Sequence, residues 1–212
     1  MNLYHYVHCP FCVRVLMGLG FLKITYNSVV LPYDDEKTPI QLTGKKMLPI
    51  LELSKGNSIN ESLDILKKFD PQNLLNWQFL ESQLPEIDIL ISQIGDPIHS
   101  LCMPYWMWTP EFNPISRDYF QTKKELKRGP FKAIIQNKSI YLKTLNETLA
   151  DIENHLVPFY KNSTMTIVDI MIAAHLWGMY IFPEFQFSPK LHQYLQTIKN
   201  ETHFDYHQDF WK

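Results

Sequence analysis

The sequence is poor in cysteine, in unbalanced charge and in long uncharged apolar runs. Only three of its 212 residues are cysteine, which is too few for a scaffold held together by disulfides. The 20 lysines and arginines are matched by 22 acidic residues, and no basic run stands out, so we expect no nucleic-acid partner. The composition, with 45% hydrophobic and 20% charged residues, is that of a globular chain large enough for two small domains.

One long apolar run, from Met165 to Phe182, raises the question of a membrane span. A spanning helix needs about 20 residues with few charges, and this run contains Asp169 and His175. We interpret it as a helix buried at the centre of a helical domain and expect no membrane contact. The first predicted strand begins close to Met1, with no charged-then-apolar leader before it. We therefore expect a cytoplasmic protein in a reducing environment.

Two cysteines, Cys9 and Cys12, are separated by two residues near the N-terminus. Residues 3–7 are typical of a strand and residues 13–19 of a helix, so the pair lies at a strand-to-helix turn. Pro10 suits the first position of that helix, which makes Cys9 its N-cap. Unpaired backbone N–H groups and the positive end of the helix dipole favour a thiolate there. Cys12, one turn further on, is placed to attack a mixed disulfide formed at Cys9.

A C-x-x-C pair also occurs in zinc sites and in static disulfides. A structural zinc usually needs two more ligands, and the remaining cysteine, Cys102, stands alone in the sequence. His5 and His8 leave a mixed histidine and cysteine site open as an alternative. The strand before the pair, the helix after it and the proline between them favour redox chemistry and no bound metal.

The first 72 residues predict an α/β domain with a mixed four-stranded sheet. Thr38 is expected to cap a short second helix and Gly44 to end it. Pro49, at the start of the third strand, raises the chance of a cis peptide bond. The order of elements is that of a thioredoxin-like domain. The predicted strands are residues 3–7, 26–31, 48–53 and 58–60, and the predicted helices are residues 13–19, 38–44 and 63–69.

Residues 77–212 carry almost no strand signal and predict an all-α domain of five or six helices after a linker at residues 70–76. Thr166 and Asp169 are expected to cap its core helix. Helical patterns recur at residues 77–94, 116–125, 131–156, 166–180 and 189–198. Breaks between them are predicted at Pro104, Pro110, Pro114 and Pro130.

Five motifs carry a family resemblance. They are Cys9-Pro10-Phe11-Cys12, close to C-P-[YF]-C; Leu48-Pro49-Ile50-Leu51, close to a V-P-I-L strand with a cis-proline; Glu61-Ser62 followed by Leu63-Asp64-Ile65; Tyr119-Phe120 with Lys123-Lys124-Glu125; and Thr166-Ile167-Val168-Asp169. With these motifs the chain resembles the glutaredoxins, and more closely the two-domain bacterial type called glutaredoxin 2. That type has a glutathione-transferase-like architecture, which the resemblance implies for both parts of this chain.

The resemblance implies that Cys9 and Cys12 are catalytic and that glutathione binds beside them as a co-substrate. Leu48 would present its N–H and C=O to the cysteine of glutathione. The hydroxyl and N–H of Ser62 would bind the γ-glutamyl carboxylate. Glu61 would bind the γ-glutamyl ammonium, and Asp64 is the less favoured alternative. The complete expected glutathione site is Pro10, Phe11, Leu48, Pro49, Glu61 and Ser62.

Other polar residues near these motifs remain ambiguous in the sequence. Arg14 and either Lys45 or Lys46 could bind the glycine carboxylate of glutathione or could be solvated charges. We interpret His8 as a surface histidine beside a turn, with stabilisation of the Cys9 thiolate as the alternative. Cys102, among apolar neighbours, is expected to be a buried or interface thiol.

The function predicted on these grounds is that of a monomeric, glutathione-dependent thiol–disulfide oxidoreductase. It reduces disulfide-bonded and glutathionylated proteins through Cys9 and Cys12. The alternative is a cysteine-type glutathione transferase acting on small electrophiles, but such an enzyme gains nothing from a second thiol. A non-catalytic interaction protein is a third possibility, which a Cys9 pKa near the ordinary value of about 8.5 would favour.

Overall fold

A four-stranded mixed sheet with the strand order β2-β1-β3-β4 organises the N-terminal part of the computed structural model, which describes residues 1–109 and 111–205. β1 is parallel to β2 and antiparallel to β3, and β3 is antiparallel to β4. Leu3 and His5 of β1 are buried and alternate with less buried residues, as expected for a strand with one face on the core. The strands are β1 (Asn2–His5), β2 (Asn27–Val30), β3 (Ile50–Ser54) and β4 (Asn57–Asn60).

Three helices belong to this sheet: α1 (Pro10–Phe21), α2 (Lys37–Thr43) and α3 (Ser62–Phe69). The predicted cap at Thr38 is wrong, because the N-cap is Glu36 and Thr38 lies inside α2, where its N–H donates to Asp35 Oδ1 at 2.9 Å. Gly44 ends α2 as predicted, in the left-handed conformation at φ 76°. The predicted α/β fold class is confirmed.

After α3, all secondary-structure elements of the described residues are helices. They are α4 (Trp77–Trp106), α5 (Pro114–Arg128), α6 (Phe131–Gln136), α7 (Lys138–Asn154), α8 (Ile167–Leu176), a 3₁₀ segment (Trp177–Ile181) and α9 (Pro189–Glu201). None of the helices in the described ranges is both long and apolar enough to cross a membrane.

The largest differences between the predicted and observed helices of this part lie at three places. The break at Pro104 is wrong, because α4 continues through it as well as through two earlier prolines. Apolar residues of α4 recur every three or four positions and pack against α7 and α8, which outweighs the cost of the prolines. The single helix predicted for residues 131–156 is interrupted at Asn137. The predicted core helix changes to a 3₁₀ turn at Trp177. Pro110 lies outside the described residues.

The core helix α8 is buried along its whole length, as the apolar run predicted. The capping pair is also confirmed: Thr166 Oγ1 accepts from the Val168 N–H at 3.2 Å, and Asp169 Oδ2 accepts from the Thr166 N–H at 2.8 Å. The other Asp169 oxygen accepts from the Tyr160 N–H at 2.8 Å and the Tyr194 hydroxyl at 2.9 Å.

α1 joins the N-terminal part to the helical part because it packs against both α3 and α8. Near its end, α1 approaches the turn after α9 so closely that a Cβ on Gly20 would lie 1.9 Å from the Thr202 carbonyl oxygen. Only glycine fits at position 20 without displacing backbone. This contact fixes the helix that begins at the cysteine pair relative to the helical part.

Candidate functional site

The two cysteines of the C-x-x-C motif lie at the start of α1, as free thiols. Cys9 is the N-cap, with extended backbone at φ −79° and ψ 120°, and Pro10 is the first helical residue. Cys9 is partly exposed, whereas Cys12 is fully buried and accepts a hydrogen bond from the Tyr6 N–H at 3.4 Å. The Cys9 sulfur is therefore accessible to a substrate, whereas the Cys12 sulfur is buried.

The two thiols have opposite acidity. A hydrogen bond from Cys12 lowers the pKa of Cys9 to about 6, helped by the charge of His8 and by the N–H groups of Cys12 and Phe11, which together outweigh burial. Burial raises the pKa of Cys12 well above its ordinary value, and the hydrogen bond to Cys9 and its charge add to this. At neutral pH the pair therefore holds one thiolate, on Cys9, and one proton, on Cys12.

His8 is not the surface histidine that we expected. Its side chain is only 6% exposed, and its Nδ1 lies 2.8 Å from Oε1 of Glu111, whose side chain is 1% exposed. The hydrogen bond and charge of His8 lower the pKa of Glu111 although burial opposes this. Glu111 lies between α4 and α5 and 103 residues from His8, and no local pattern in the sequence indicated this partner.

The Leu48–Pro49 peptide bond is cis and precedes β3, in line with the proline signal in the sequence. Among the described residues, the N–H and C=O of Leu48 have no hydrogen-bond partner. Leu48 and Cys9 line the same cavity. An extended ligand could therefore pair with the Leu48 backbone while its own sulfur lies near Cys9.

Ser62 is the first residue of α3 and is buried. Its hydroxyl accepts from Arg14 Nη1 at 3.0 Å, and the Arg14 Cζ lies 5.0 Å from the centroid of the Phe11 ring. Arg14 is thus a buried cation and not a solvated one; burial lowers its pKa to about 10. Glu61 is exposed and adopts φ 69° just before α3.

A cavity of about 320 Å³ opens between the start of α1 and the helical part. Of the predicted site residues it brings together Cys9, Pro10, Phe11 and Leu48. Cys12, Pro49, Glu61 and Ser62 do not line it. The opposite wall, which the sequence did not predict, comes from α4 and α5 and includes His99, Met103, Trp106, Phe120 and Lys124.

Of the basic candidates for a carboxylate of glutathione, Lys46 lines the cavity and Lys45 does not. Lys46 Nζ donates to the Tyr33 carbonyl at 2.8 Å and lies 2.9 Å from the Tyr119 hydroxyl. Within the described ranges, no group of three or more His, Cys, Asp or Glu side chains is arranged to hold a metal ion.

Residues 86–210 match the family model described as the C-terminal domain of glutaredoxin 2. The chain belongs to the glutaredoxin 2 family. Residues 3–73 match a second model, the N-terminal domain of glutathione S-transferase, in line with the transferase-like architecture. Membership in the family identifies a glutathione-dependent redox enzyme.

Individual relatives cover nearly the whole chain. Glutaredoxin 2 of Escherichia coli strain K12 is 26% identical in an alignment of 209 residues that covers 95% of each chain. The crystal structure of glutaredoxin 2 from Salmonella typhimurium in complex with glutathione is 27% identical, with a TM-score of 0.83 over 97% of this chain and 95% of that one. Glutathione transferase GSTFuA2 from Phanerochaete chrysosporium, 14% identical, matches with a TM-score of 0.76 over 96% and 98% of the two chains and so shares the fold.

Proposed function

We propose that this protein reduces disulfide-bonded and glutathionylated proteins, with Cys9 as the nucleophile and Cys12 as the resolving thiol. The observation that carries the proposal is the opposite acidity of two sulfurs at one helix N-terminus. A thiolate on Cys9, the partly exposed member, reacts with disulfides at neutral pH, and a proton on the buried Cys12 keeps Cys12 out of the first step.

With a protein disulfide, the Cys9 thiolate attacks one sulfur and the other leaves as a thiolate, so that Cys9 is joined to the protein. Attack consumes the charge on Cys9, and with it an interaction that holds the pKa of Cys12 high. Cys12 then transfers its proton to the thiolate that left first and attacks the Cys9 sulfur, releasing the second thiolate of the substrate protein. The substrate protein has gained two electrons, and Cys9 and Cys12 of the enzyme now form a disulfide.

Two molecules of glutathione restore the reduced pair. The first attacks the Cys9 sulfur and releases Cys12, and the second attacks the bound glutathione sulfur and releases Cys9 and glutathione disulfide. With a glutathionylated protein, Cys9 takes the glutathionyl group directly, so Cys12 is not needed.

Glutathione is proposed to lie along the Leu48–Pro49 backbone, with its cysteine amide paired to the free N–H and C=O of Leu48. Pro10 and Phe11 lie beside its sulfur. Ser62, at the N-terminus of α3, binds the γ-glutamyl carboxylate, and Glu61 binds the ammonium. Lys46, which lines the cavity, is the candidate for the glycine carboxylate.

The test separates the two thiols with three variants. Cys12→Ser should keep the reduction of a glutathionylated peptide, lose the reduction of an intramolecular protein disulfide, and accumulate a protein mixed disulfide at Cys9. Cys9→Ser should be inactive on both substrates. Cys102→Ser is the matched control, because this buried thiol donates to the Gly178 carbonyl at 3.4 Å and does not line the cavity.

The proposal is wrong if Cys9→Ser keeps its activity. A transferase is indicated instead if the wild type conjugates glutathione to an aryl chloride faster than it reduces the glutathionylated peptide. A Cys9 that titrates like a free thiol, with no activity in either assay, indicates an interaction protein.

A further inference from the structure

The cavity beside Cys9 carries more positive than negative charge. Its lining includes Lys46, Lys124, Lys127 and Arg128, and the described residues that line it include no Asp or Glu. Three of these four cations belong to α5, on the side of the cavity that faces the N-terminal part. We call this side of the cavity, with Lys124, Lys127 and Arg128, the α5 wall. The proposed glutathione contacts do not explain its positive charge.

Two of the four cations are already paired with carboxylates outside the lining. Lys46 Nζ lies 3.6 Å from Glu36, and Arg128 Nη1 lies 2.8 Å from Asp96. Lys124 and Lys127 have no ion pair with any carboxylate in the described part of the chain. The free positive charge of the cavity thus lies on these two lysines.

Lys124 is held in place although it lacks a carboxylate. Its Nζ lies 5.6 Å from the ring centroid of Tyr33 and 5.5 Å from that of Phe120, and both rings line the cavity. Burial lowers the pKa of Lys124, and the negative charge of Cys9 opposes that shift. A partly buried cation that interacts with the reactive sulfur will attract an anion on the substrate attached to that sulfur.

The two halves of a bound mixed disulfide would lie on different sides of the cavity. If its glutathionyl half pairs with Leu48, the other half must leave the scissile sulfur towards the wall formed by α4 and α5. That wall combines the apolar side chains of Met103, Trp106 and Phe120 with the ammonium of Lys124. A short chain that ends in a carboxylate matches it.

We propose that the α5 wall, through Lys124 and with support from Lys127, selects glutathione mixed disulfides whose other half carries a carboxylate. This inference rests on the proposed function, since it names the substrate class of the same site. In the reaction, Cys9 attacks the glutathionyl sulfur and the carboxylate-bearing thiol leaves as a thiolate. A glutathione thiolate then releases Cys9 and forms glutathione disulfide, so no other reductant is required.

The test uses three mixed disulfides of glutathione that differ at one end. Their partner thiols are 3-mercaptopropionate, 2-mercaptoethanol and cysteamine, which carry a negative, no and a positive charge. Each kcat/KM is divided by the uncatalysed rate of the same disulfide with free glutathione, because a thiol of lower pKa leaves faster. The normalised ratio of the anionic to the cationic substrate is independent of the pKa of Cys9, which is common to both.

We expect the wild type to favour the anionic over the cationic substrate by about tenfold at low ionic strength, with the ratio falling at high salt. Lys124→Gln should reduce the ratio to about threefold or less, and Lys124→Arg should restore it. Lys123→Gln is the matched control, since this neighbour on α5 is exposed, lies 3.7 Å from Glu36 and does not line the cavity.

A wild-type ratio near one, or one that salt does not change, overturns the inference even if Lys124→Gln fails to fold. An equal loss in Lys123→Gln and Lys124→Gln also overturns it, because the effect would then be one of net charge. If none of the three disulfides is reduced faster than without enzyme, the proposed function itself fails.

Discussion

The helices α1 and α8 pack against each other but begin in opposite ways. The start of α8 is closed by a cap. The Thr166 side chain accepts a hydrogen bond from the N–H of Val168, and Asp169 accepts one from the N–H of Thr166. The start of α1 is open: a cysteine occupies the N-cap and no acidic residue follows in the first turn. The buried helix uses its terminal N–H groups for its own cap, whereas the helix at the cavity keeps them available for the sulfur of Cys9, the proposed nucleophile.

The largest expected effect breaks this contrast by giving α1 an ordinary cap. Cys9→Ser should reduce turnover of a glutathionylated peptide by about a thousandfold or more, because a hydroxyl cannot replace the thiolate. Serine is a favoured N-cap residue, so the free energy of unfolding should stay the same or rise by about 1 kcal/mol. Urea unfolding beside the activity assay checks both expectations. Loss of activity together with loss of stability would indicate a structural and not a chemical role for Cys9.

The second prediction opens the closed helix. Asp169→Ala removes the acceptor of four hydrogen bonds, from Tyr160, Tyr194 and the N–H and hydroxyl of Thr166. Because these donors are then buried without a partner, the free energy of unfolding should fall by about 3–5 kcal/mol.

Activity per folded molecule should be unchanged in Asp169→Ala, since Asp169 does not line the cavity. Asp151→Ala is the matched control, because this carboxylate is exposed on α7 and its loss should cost less than about 0.5 kcal/mol. A comparable loss of stability in both variants would contradict the role assigned to the Asp169 cap.

The third prediction sharpens the account of the open helix. The hydrogen bond from Cys12 is the largest cause of the low pKa of Cys9. Removing this donor in Cys12→Ala disfavours the thiolate, so the pKa of Cys9 should rise from about 6 towards its ordinary value. Cys12→Ser keeps a donor and should show a smaller rise.

The pH dependence of iodoacetamide alkylation at Cys9 measures this effect. Cys12→Ala should be alkylated more slowly than the wild type near pH 6, by about tenfold, and at a similar rate above pH 9. Identical profiles for Cys12→Ala and the wild type would show that the helix N-terminus and His8 suffice without Cys12.

The smallest expected effect concerns Glu111, the buried carboxylate that pairs with His8 next to the start of α1, in comparison with Asp169 at the start of α8. His8 lowers the pKa of Glu111, whereas burial raises the pKa of Asp169. A lowered pKa means that Glu111 contributes stability above its ordinary value of 4.5 and loses that contribution as the pH falls through its folded value.

Glu111→Gln should therefore be less stable than the wild type near pH 7, by about 1–2 kcal/mol, and the difference should shrink between pH 5 and pH 3. Urea unfolding over that range is the measurement. A difference that grows on acidification would contradict the assignment of the stabilising contact to an ionised Glu111.

The features that were predicted correctly from the sequence depend on near neighbours along the chain. The N-cap position of Cys9 follows from Pro10, and the cap of α8 follows from the three-residue spacing of Thr166 and Asp169. In the same way, Gly44 ends α2 because only a left-handed residue closes that helix end at low cost.

The features that the sequence did not reveal depend on distant partners. Proline signals suggested a break at Pro104, but packing of α4 against α7 and α8 carries the helix through it. The surface position expected for His8 was wrong because its neighbours are remote in the sequence: Glu111 pairs with it, and the rings of Trp106, Phe112 and Phe120 pack around it. Lys124 was noted as part of a motif, yet its place in the cavity depends on how α5 meets the N-terminal part. The roles of Glu61 and Ser62 remain predictions.

Because α1 packs against both α3 and α8, we do not expect the N-terminal part of this chain to keep its structure without the helical part. A fragment ending after α3 would expose Val13, which faces Ile98 and Ala174, and other apolar residues of α1 to water, and it would remove Glu111, the partner of His8. A chimaera that takes its helical part from a relative therefore needs a part that packs against Gly20 and supplies a carboxylate in the place of Glu111. Without these two contacts, neither α1 nor His8 keeps its position beside Cys9.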